Sequence, residues 1–516
     1  MARQTSISCV HADTIVVGAG SCGAVIASRA TEDDRRDVLL LEAGPDYPDV
    51  QGLPDDLRDG TRNSMRHHDW GQMHRPRPES PLLFWFPRGR VVGGSSAVNT
   101  CIALRGQPHD YDEWASLGLR EWAWEKVLPA FKRLENDLDV KSPWHSQDGP
   151  LPIRRHAADE YAPWQRAFVE ACASQGFERC ADSNDPTTTG VGPHAMNLVN
   201  GQRMSAARCY LVPEVRARRG LRIRPHTMVR RVLFRDRRVV GVEVETHGRV
   251  HTIGSRRVIL SAGATSTPGI LLRSGIGPRR ELERLGVDLV VDLPSVGARL
   301  VDHPGCAIFL RPREPHRVPG RPFIQTVLRY TSSLGPRNDM FMQVGSVVPH
   351  PYGALPLVSI MASVGKSYGV GSITFPSANP RARPRIESNL FVEDRDRKRA
   401  VEAMSLAVDL ARTPEMRSLA TFFWPRPAAI DRPGGIETWV TRLCDSSYHP
   451  SGTVPMGGDD ASDAEAATDG RGRVRHVEGL VVADASLMPT IPSSHTNLTT
   501  LMMGERFGEW LREDAL

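Results

Sequence analysis

Short apolar runs and glycine-rich turns alternate at the start of the chain. Residues 13–17 (DTIVV) and 38–41 (VLLL) are compact β-branched or leucine-rich runs, which predict buried parallel strands. Between them, residues 24–30 (AVIASRA) place apolar and small side chains at helical spacing. The order strand, helix, strand predicts a β-α-β unit in a parallel sheet, and hence an α/β fold.

Two later patterns add a hairpin and a terminal helix. Residues 227–234 and 238–244 read as paired strands around a turn at 235–237. Near the end, apolar side chains recur at helical spacing after a group of cap-type residues, which predicts a helix beginning near Asn497. The apolar stripe is Leu498, Leu501, Met502 and Trp510, and the cap-type residues are Ser493, Ser494 and Thr496.

Length and composition indicate a two-domain protein of ordinary soluble type. The chain has 516 residues, 40% hydrophobic and 24% charged, more than one core usually holds. The arginine-rich segment 216–224 lacks an accompanying RNA-binding aromatic motif or zinc-finger spacing, so we interpret it as a solvated surface and expect no nucleic-acid partner.

Cysteine usage and the N-terminus favour a cytoplasmic location. The 8 cysteines include no C-x-x-C pair and no metal-ligand spacing, which favours reduced thiols and no bound metal. Residues 1–10 lack a signal-peptide core, and no apolar run is long enough to span a bilayer. The sequence leaves the oligomeric state open.

A glycine-rich turn follows the first predicted strand. Gly18 permits a tight turn, Gly20 lets the backbone approach a pyrophosphate, and Gly23 allows the helix to pack closely on the strand. Glu42, at the end of the second run, is placed to accept a hydrogen bond from a ribose hydroxyl. An acid there would repel a 2′-phosphate, so the pattern predicts FAD or NAD rather than NADP.

Further motifs follow in a fixed order. They are the loop 89–99 (GRVVGGSSAVN), the segment 263–277 (GATSTPGILLRSGIG), the loop 448–453 (YHPSGT) and the segment 484–495 (DASLMPTIPSSH). Together with the nucleotide-binding turn, this series resembles the glucose–methanol–choline (GMC) family of flavin oxidoreductases from about residue 13 to the C-terminus.

The resemblance implies a Rossmann-like FAD-binding domain and a discontinuous α+β substrate-binding domain built on an antiparallel sheet. Residues 371–390 are similar to a family segment in that second sheet. The FAD-binding domain is expected at residues 1–47, 85–154, 201–305 and 448–516. The substrate-binding domain is expected at residues 48–84, 155–200 and 306–447.

The resemblance also implies a set of cofactor-binding residues. Some relatives attach FAD through a histidine just before the asparagine of the second motif; here that place holds Val98, so noncovalent FAD is expected. The implied set is Gly18, Gly20, Ser21, Cys22, Gly23, Glu42, Ala43, Val92, Gly93, Gly94, Ser95, Asn99, Val229, Asp484, Ala485, Thr496 and Asn497.

His449 and His495 are the candidate catalytic residues, since they occupy the two positions that carry the proton chemistry in the family. We expect His449 to be the base and His495 to hydrogen-bond the substrate oxygen, although sequence alone does not decide which of them takes the proton. Two adjacent imidazoles should keep each other neutral. The N-terminus of the helix near Asn497 would favour an anionic reduced flavin. His303, within 302–304 (DHP), is interpreted as part of a structural turn.

The implied activity is oxidation of an alcohol CH–OH group to an aldehyde or ketone. The alternative is a flavin-containing lyase on the same scaffold, since some relatives cleave cyanohydrins; a light-driven decarboxylase and a binding flavoprotein are more remote. Oxygen, a quinone or a carrier protein remain open as electron acceptors. Trp70 and Tyr448 are interpreted as core residues, and residues 322–330 carry no acid, so a choline-like substrate is disfavoured.

Overall fold

The computed structural model describes residues 11–314, 316, 322–350 and 353–516. The expectations for residues 1–10 therefore lie outside the described residues. The helices are α1 Ser21–Ala30, α2 Asp55–Arg58, α3 Pro108–Ser116, α4 Trp124–Leu134, α5 Pro163–Ser174, α6 Ala206–Tyr210, α7 Pro213–Arg216, α8 Thr267–Arg273, α9 Arg279–Leu285, α10 Asp394–Arg412, α11 Pro414–Leu419, α12 Pro427–Ile430, α13 Gly435–Arg442 and α14 Thr496–Arg512.

Strands make up several sheets. They are β1 Thr14–Val17, β2 Val38–Leu41, β3 Met73–Arg75, β4 Phe84–Trp85, β5 Glu135–Asp137, β6 Leu151–Ile153, β7 Gly190–Pro193, β8 Leu198–Val199, β9 Gln202–Arg203, β10 Leu221–Arg224, β11 Thr227–Arg235, β12 Arg238–Thr246, β13 Arg249–Gly254, β14 Arg257–Leu260, β15 Ile276–Gly277, β16 Val291–Asp292, β17 Pro304–Pro312, β18 Thr326–Tyr330, β19 Met340–Gly345, β20 Val348–His350, β21 Gly353–Leu355, β22 Val358–Val364, β23 Ser372–Thr374, β24 Arg385–Glu387, β25 Ala420–Trp424, β26 Asp445–Ser446 and β27 Leu480–Val482.

A parallel sheet carries the predicted β-α-β unit. Its strand order is β10-β2-β1-β14-β27, and every neighbouring pair runs parallel. The strands predicted from the first two apolar runs are confirmed. The helix begins at Ser21, three residues before the predicted segment, because α1 starts directly after the Gly20 turn.

Helices α1 and α14 pack closely against each other because α14 has glycines at the contact. A Cβ on Gly504 would lie 2.7 Å from the Cβ of Val25, and a Cβ on Gly508 would lie 2.6 Å from that of Arg29. Between these glycines, the buried Glu505 accepts hydrogen bonds from Arg29 and from the hydroxyl of Tyr210. The close approach brings the N-termini of both helices to one end of the sheet.

The predicted hairpin and terminal helix are also confirmed. Strands β11 and β12 pair antiparallel around Asp236 and Arg237, both of which have positive φ. Strand β13 extends them to a three-stranded sheet. Helix α14 begins at Thr496, next to the predicted Asn497, with His495 at its N-cap.

A seven-stranded antiparallel sheet forms the second layer of the molecule. Its order is β25-β17-β22-β19-β18-β7, with β26 paired to β17. Alternate residues of β17 point to opposite faces: Cys306, Ile308 and Leu310 join the core that contains α10, while Gly305 and Ala307 face the other way. Residues 371–390 contribute β23 and β24 to a separate four-stranded sheet, β23-β24-β3-β4. The architecture confirms the GMC oxidoreductase fold, with its parallel and antiparallel sheets.

A buried charge cluster ties β5 and β6 to the loops around them. His145 lies 3.1 Å from Glu135 and from Asp137 and 2.8 Å from Asp182. Arg105 pairs with Glu135, and Arg155 bridges Asp137 and Asp182. Three carboxylates thus meet two guanidiniums and one imidazole. The side chains of Glu135, Asp137 and His145 lie close enough together to hold a metal ion. The guanidiniums and the imidazole of the cluster, however, already neutralise its carboxylates.

Among the described residues, no helix is long and apolar enough to cross a bilayer. The described cysteines are all free and buried: Cys22, Cys101, Cys172, Cys180, Cys209, Cys306 and Cys444.

Replacing His145 should destabilise the protein in a pH-dependent way. Burial alone would lower the pKa of His145, but its hydrogen bonds to Asp137, Asp182 and Glu135 raise it to about 10. Because the pKa of His145 is higher in the folded than in the unfolded state, its protonation adds to the free energy of unfolding. This contribution is fully present below pH 6.5 and is lost as the pH rises towards about 10. His145→Gln should therefore cost about 3 kcal/mol at the acidic end of this window, because it leaves buried carboxylates unpaired.

The measurement is the difference in melting temperature between wild type and variant across this pH range. His476→Gln is the matched control, because His476 pairs with Asp463 on the exposed surface. A His145→Gln deficit that does not shrink with rising pH would contradict the charged state assigned to His145.

Candidate active site

A cavity of about 860 Å³ lies between the parallel sheet and the seven-stranded sheet. Both predicted catalytic histidines and most of the predicted cofactor-binding residues line it. The lining cofactor-binding residues are Gly18, Gly20, Ser21, Cys22, Glu42, Ala43, Gly94, Ser95, Asn99, Val229, Asp484, Ala485, Thr496 and Asn497.

Three residues of the predicted set are not part of the lining. Gly23 packs against the preceding turn, where a Cβ would lie 2.0 Å from the carbonyl oxygen of Gly18. Val92 is buried. Gly93 has φ +106°, and a Cβ there would approach Ala97 and Ala207. These three residues therefore pack behind the residues that line the cavity.

The cavity end beside α1 suits a dinucleotide. Gly18 has φ +96°, and a Cβ on Gly94 would lie 2.6 Å from the Cα of Gly20. The loop 89–99 is therefore pressed against the first turn. Gly20 caps α1 without a side-chain hydrogen bond, so the helix N-terminus is left to face an anion.

Glu42, predicted to bind a ribose hydroxyl, is fixed in the cavity wall. Its carboxylate accepts hydrogen bonds from the backbone N–H of Ala19 at 3.1 Å and of Gly44 at 2.8 Å. Burial raises the pKa of Glu42 to about 7, although these backbone hydrogen bonds oppose the shift. The residues present therefore fit the predicted dinucleotide.

The two helix N-termini meet at the centre of the cavity. The hydroxyl of Ser21, at the start of α1, donates to Oδ1 of Asn497 in the first turn of α14 at 2.8 Å. Asp484 is held by the hydroxyl of Thr267 at 2.6 Å and the N–H of Gly263 at 2.8 Å. These contacts join the motifs at 18–23, 263–277 and 484–497 around one space.

His449 is positioned by the buried carboxylate of Asp302. Oδ1 of Asp302 accepts the backbone N–H of His449 at 3.0 Å and that of His303 at 2.8 Å. Its other oxygen accepts from the hydroxyl of Ser446 at 2.5 Å. Tyr448 has φ +67°, a strained conformation for a side chain of this size.

Arg88 and Ser446 hold the strained turn at Tyr448. Arg88 donates to the carbonyl of Tyr448 at 2.6 Å, and the hydroxyl of Ser446 accepts the N–H of Tyr448 at 2.7 Å. The turn directs the ring of His449 into the cavity.

The hydrogen bonds of His303 fix the tautomer of His449. Nε2 of His303 lies 2.9 Å from the carbonyl oxygen of Pro492, which can only accept, so this nitrogen carries a proton. Burial lowers the pKa of His303 to about 4, which leaves its Nδ1 unprotonated at neutral pH. This atom lies 2.9 Å from Nδ1 of His449. His449 therefore donates through Nδ1–H and keeps a lone pair on Nε2.

The loop that carries His495 is held by buried ions. Arg329 donates to the carbonyl of Ser493, Asp110 accepts from both the N–H and the hydroxyl of Ser493, and Lys366 donates to the carbonyl of Ile491. Lys366 also pairs with Asp110 at 3.3 Å. This network fixes the backbone leading into α14.

His495 has the opposite tautomer preference. Its Nδ1 is buried and has no hydrogen-bond partner in the described part of the chain. A buried N–H without a partner is rarer than an unused acceptor, so the proton belongs on Nε2. The ring centroids of His449 and His495 are 4.9 Å apart.

Both histidines are neutral at physiological pH. Burial lowers the pKa of His449 well below its usual value, and His495 and His303 add to the shift. Burial also lowers the pKa of His495, and there the largest neighbouring contribution is from His194. The mutual effect expected from sequence thus operates on His449, but burial is the larger cause for both rings.

Several lining or supporting residues were missed or misassigned from sequence. His303 contacts His449 directly and is more than part of a turn. Trp70 and Tyr448 both line the cavity, and Tyr448 also packs against the main core. Asp445 lines the same cavity, where its carboxylate pairs with His74. Gln343 is a further lining residue. The DHP motif was the only sequence feature that drew attention to His303. Asp445 and Gln343 lie in no motif that would have indicated their position in the cavity.

Comparison with known proteins identifies the family of the chain. GMC oxidoreductase family models match residues 12–305 and 367–504. The chain is 31% identical to the 5-(hydroxymethyl)furfural oxidase of Methylovorus sp., covering 98% of this chain and 99% of that protein. It is 33% identical to an oxygen-dependent choline dehydrogenase of Brucella anthropi, covering 96% and 95% respectively.

A solved structure gives the same result. The crystal structure of pyridoxine 4-oxidase from Mesorbium loti superposes with a TM-score of 0.88 at 27% sequence identity, covering 97% of this chain and 99% of that one. The chain therefore belongs to the GMC oxidoreductase family, and it is an FAD-binding oxidoreductase that acts on alcohol-type donors.

Proposed function

We propose that the protein oxidises the CH–OH group of an alcohol to an aldehyde or ketone, with His449 as the base and His495 as the hydrogen-bond donor to the substrate oxygen. The observation that carries this assignment is the contact between His449 and His303, which leaves Nε2 of His449 unprotonated. Bound FAD supplies the hydride acceptor, so the side chains have only the hydroxyl proton to manage.

The two rings have complementary roles. Nε2 of His449 accepts the proton, while Nε2–H of His495 donates to the same oxygen and stabilises the negative charge that develops there. An alcohol oxygen can receive one hydrogen bond and donate another at once, and this fixes the orientation of the carbinol carbon. We further infer that FAD is held noncovalently, since Val98 offers no atom for a covalent bond.

Anaerobic mixing with a panel of alcohols tests the proposed activity. The bound flavin absorbance should bleach with a subset of the panel, because only alcohols that fit the cavity place their carbinol carbon correctly. Readmitting air then separates an oxidase, which recovers its absorbance, from a dehydrogenase that needs another acceptor. Release of a carbonyl product without bleaching would favour a lyase and contradict the proposal.

Removal of the base should stop flavin reduction. In His449→Gln, the rate of anaerobic reduction should fall by about 10²–10⁴, the usual contribution of a general base, while the FAD content stays near that of wild type. Stopped-flow absorbance gives the rate, and His476→Gln is the surface control. Unchanged reduction kinetics in His449→Gln would remove this residue from the mechanism.

Loss of the acceptor behind His449 should weaken the base without removing it. In His303→Leu, Nδ1–H of His449 has no partner, so the productive tautomer is less populated and the reduction rate should fall about tenfold. His303→Asn should restore much of the rate, since its side-chain oxygen can occupy the place of Nδ1. Equal losses in the Leu and Asn variants would show that packing, not the hydrogen bond, is what matters.

A further inference from the structure

The cavity-facing side of the seven-stranded sheet has a polar position that the proposed chemistry does not use. Phe341 and Gln343 of β19 lie two residues apart and so share a face. The ring of Phe341 packs on that of His495, with centroids 4.9 Å apart. Gln343 is the next residue on this face, and it lines the cavity. Its amide therefore lies close to the catalytic pair.

A buried histidine orients this amide. Nε2 of His194 lies 3.0 Å from Oε1 of Gln343, and Nδ1 of His194 is buried without a partner in the described residues. A proton on Nδ1 would be stranded, so the favoured tautomer carries it on Nε2 and donates to the amide oxygen. Burial lowers the pKa of His194 to about 3, so the ring is neutral.

The amide nitrogen of Gln343 is consequently left for a ligand. It makes no hydrogen bond within the described part of the structure, and unlike the ring nitrogen of His194 it is not buried among protein atoms. The surrounding positions of the sheet face are small or apolar: Gly305, Ala307, Phe309, Ser359 and Met361 all line the cavity. A substrate body that fills this space displaces the water that would otherwise accept from the amide.

We propose that Gln343 is a specificity residue that selects alcohols carrying a neutral hydrogen-bond acceptor, such as a ring nitrogen, an ether or a carbonyl, near the carbinol group. His194 acts as a positioning residue that turns the donor side of the amide into the cavity. The inference rests on the proposed function. It follows from the rule that, when a bound substrate excludes water from a donor, the site rejects an analogue that leaves this donor unpaired.

Pyridin-3-ylmethanol and benzyl alcohol are the test pair, since they have nearly the same shape and differ by a ring nitrogen. The readout is the ratio of the apparent second-order rate constants for anaerobic flavin reduction, at a pH where the pyridine is unprotonated. Wild type should prefer the pyridine by about tenfold. Gln343→Met, which keeps the length of the side chain, should lose this preference through a slower reaction with the pyridine alone.

Two further variants separate the hydrogen bond from packing. In His194→Phe the amide remains but is no longer oriented, so the preference should fall without disappearing. Met342→Leu changes the neighbour of Gln343 on the core face of β19 and should leave the ratio unchanged. A wild-type enzyme without preference, or a preference that survives in Gln343→Met, would overturn the inference.

A binding measurement keeps this inference separate from the proposed function. Pyridine-3-carbaldehyde and benzaldehyde are titrated into the oxidised holoenzyme, and binding is followed by the change in flavin absorbance. Tighter binding of the pyridine aldehyde, lost in Gln343→Met, supports the amide assignment even if no alcohol reduces the flavin, a result that would defeat the proposed function alone. Equal binding of the two aldehydes would overturn the assignment of Gln343.

Discussion

The carboxylate of Asp302 is the contact on which the active-site geometry depends. One of its oxygens binds the backbone N–H groups of both His303 and His449, so a single rigid group sets the spacing of the two rings that share the Nδ1 contact. The carboxylate is buried, where hydrogen bonds are not weakened by competing water. The strained backbone at Tyr448 is tolerated because Asp302, Ser446 and Arg88 hold the segments on either side of it.

The two histidines proposed to be catalytic, His449 and His495, show how identical side chains can take opposite roles. His449 has an acceptor behind it and so presents a lone pair to the cavity, whereas His495 has no partner behind it and so presents a proton. Neither difference is a property of the residue itself. Each follows from what the neighbouring loops place against Nδ1, the atom that faces away from the substrate.

Sequence was sufficient for the parts of the molecule that local chemistry encodes. The turn at Gly18, the helix after it, the hairpin at 227–246 and the start of α14 each follow from steric or periodic rules that operate within about ten residues, and the motif series indicated the family. The role of His303 was not accessible in this way, because it depends on the carbonyl of Pro492, which is distant in sequence. The role proposed for Gln343 likewise depends on its hydrogen bond with His194, which is distant in sequence.

Sheet pairing explains why the cavity-lining residues of the antiparallel sheet could not be predicted from sequence. The cavity face of β17, β19 and β22 alternates with the core face, so a lining residue differs from its neighbours only in direction, and Gly305 or Ser359 carries no motif. Small side chains on this face provide space, and the donor amide of Gln343 restricts what can fill it.

In the mechanism we propose, the low pKa of His449 also constrains when the proton can move. A weak base cannot hold the proton of an unreacted alcohol, because the alkoxide left behind would be far more basic than the imidazole. The hydroxyl becomes acidic only as hydride loss makes the carbinol carbon electron-poor, and the hydrogen bond from His495 increases this acidity by stabilising charge on the oxygen. Burial therefore couples proton removal to hydride departure, and it does so by keeping both histidines neutral until the alcohol is bound and oriented.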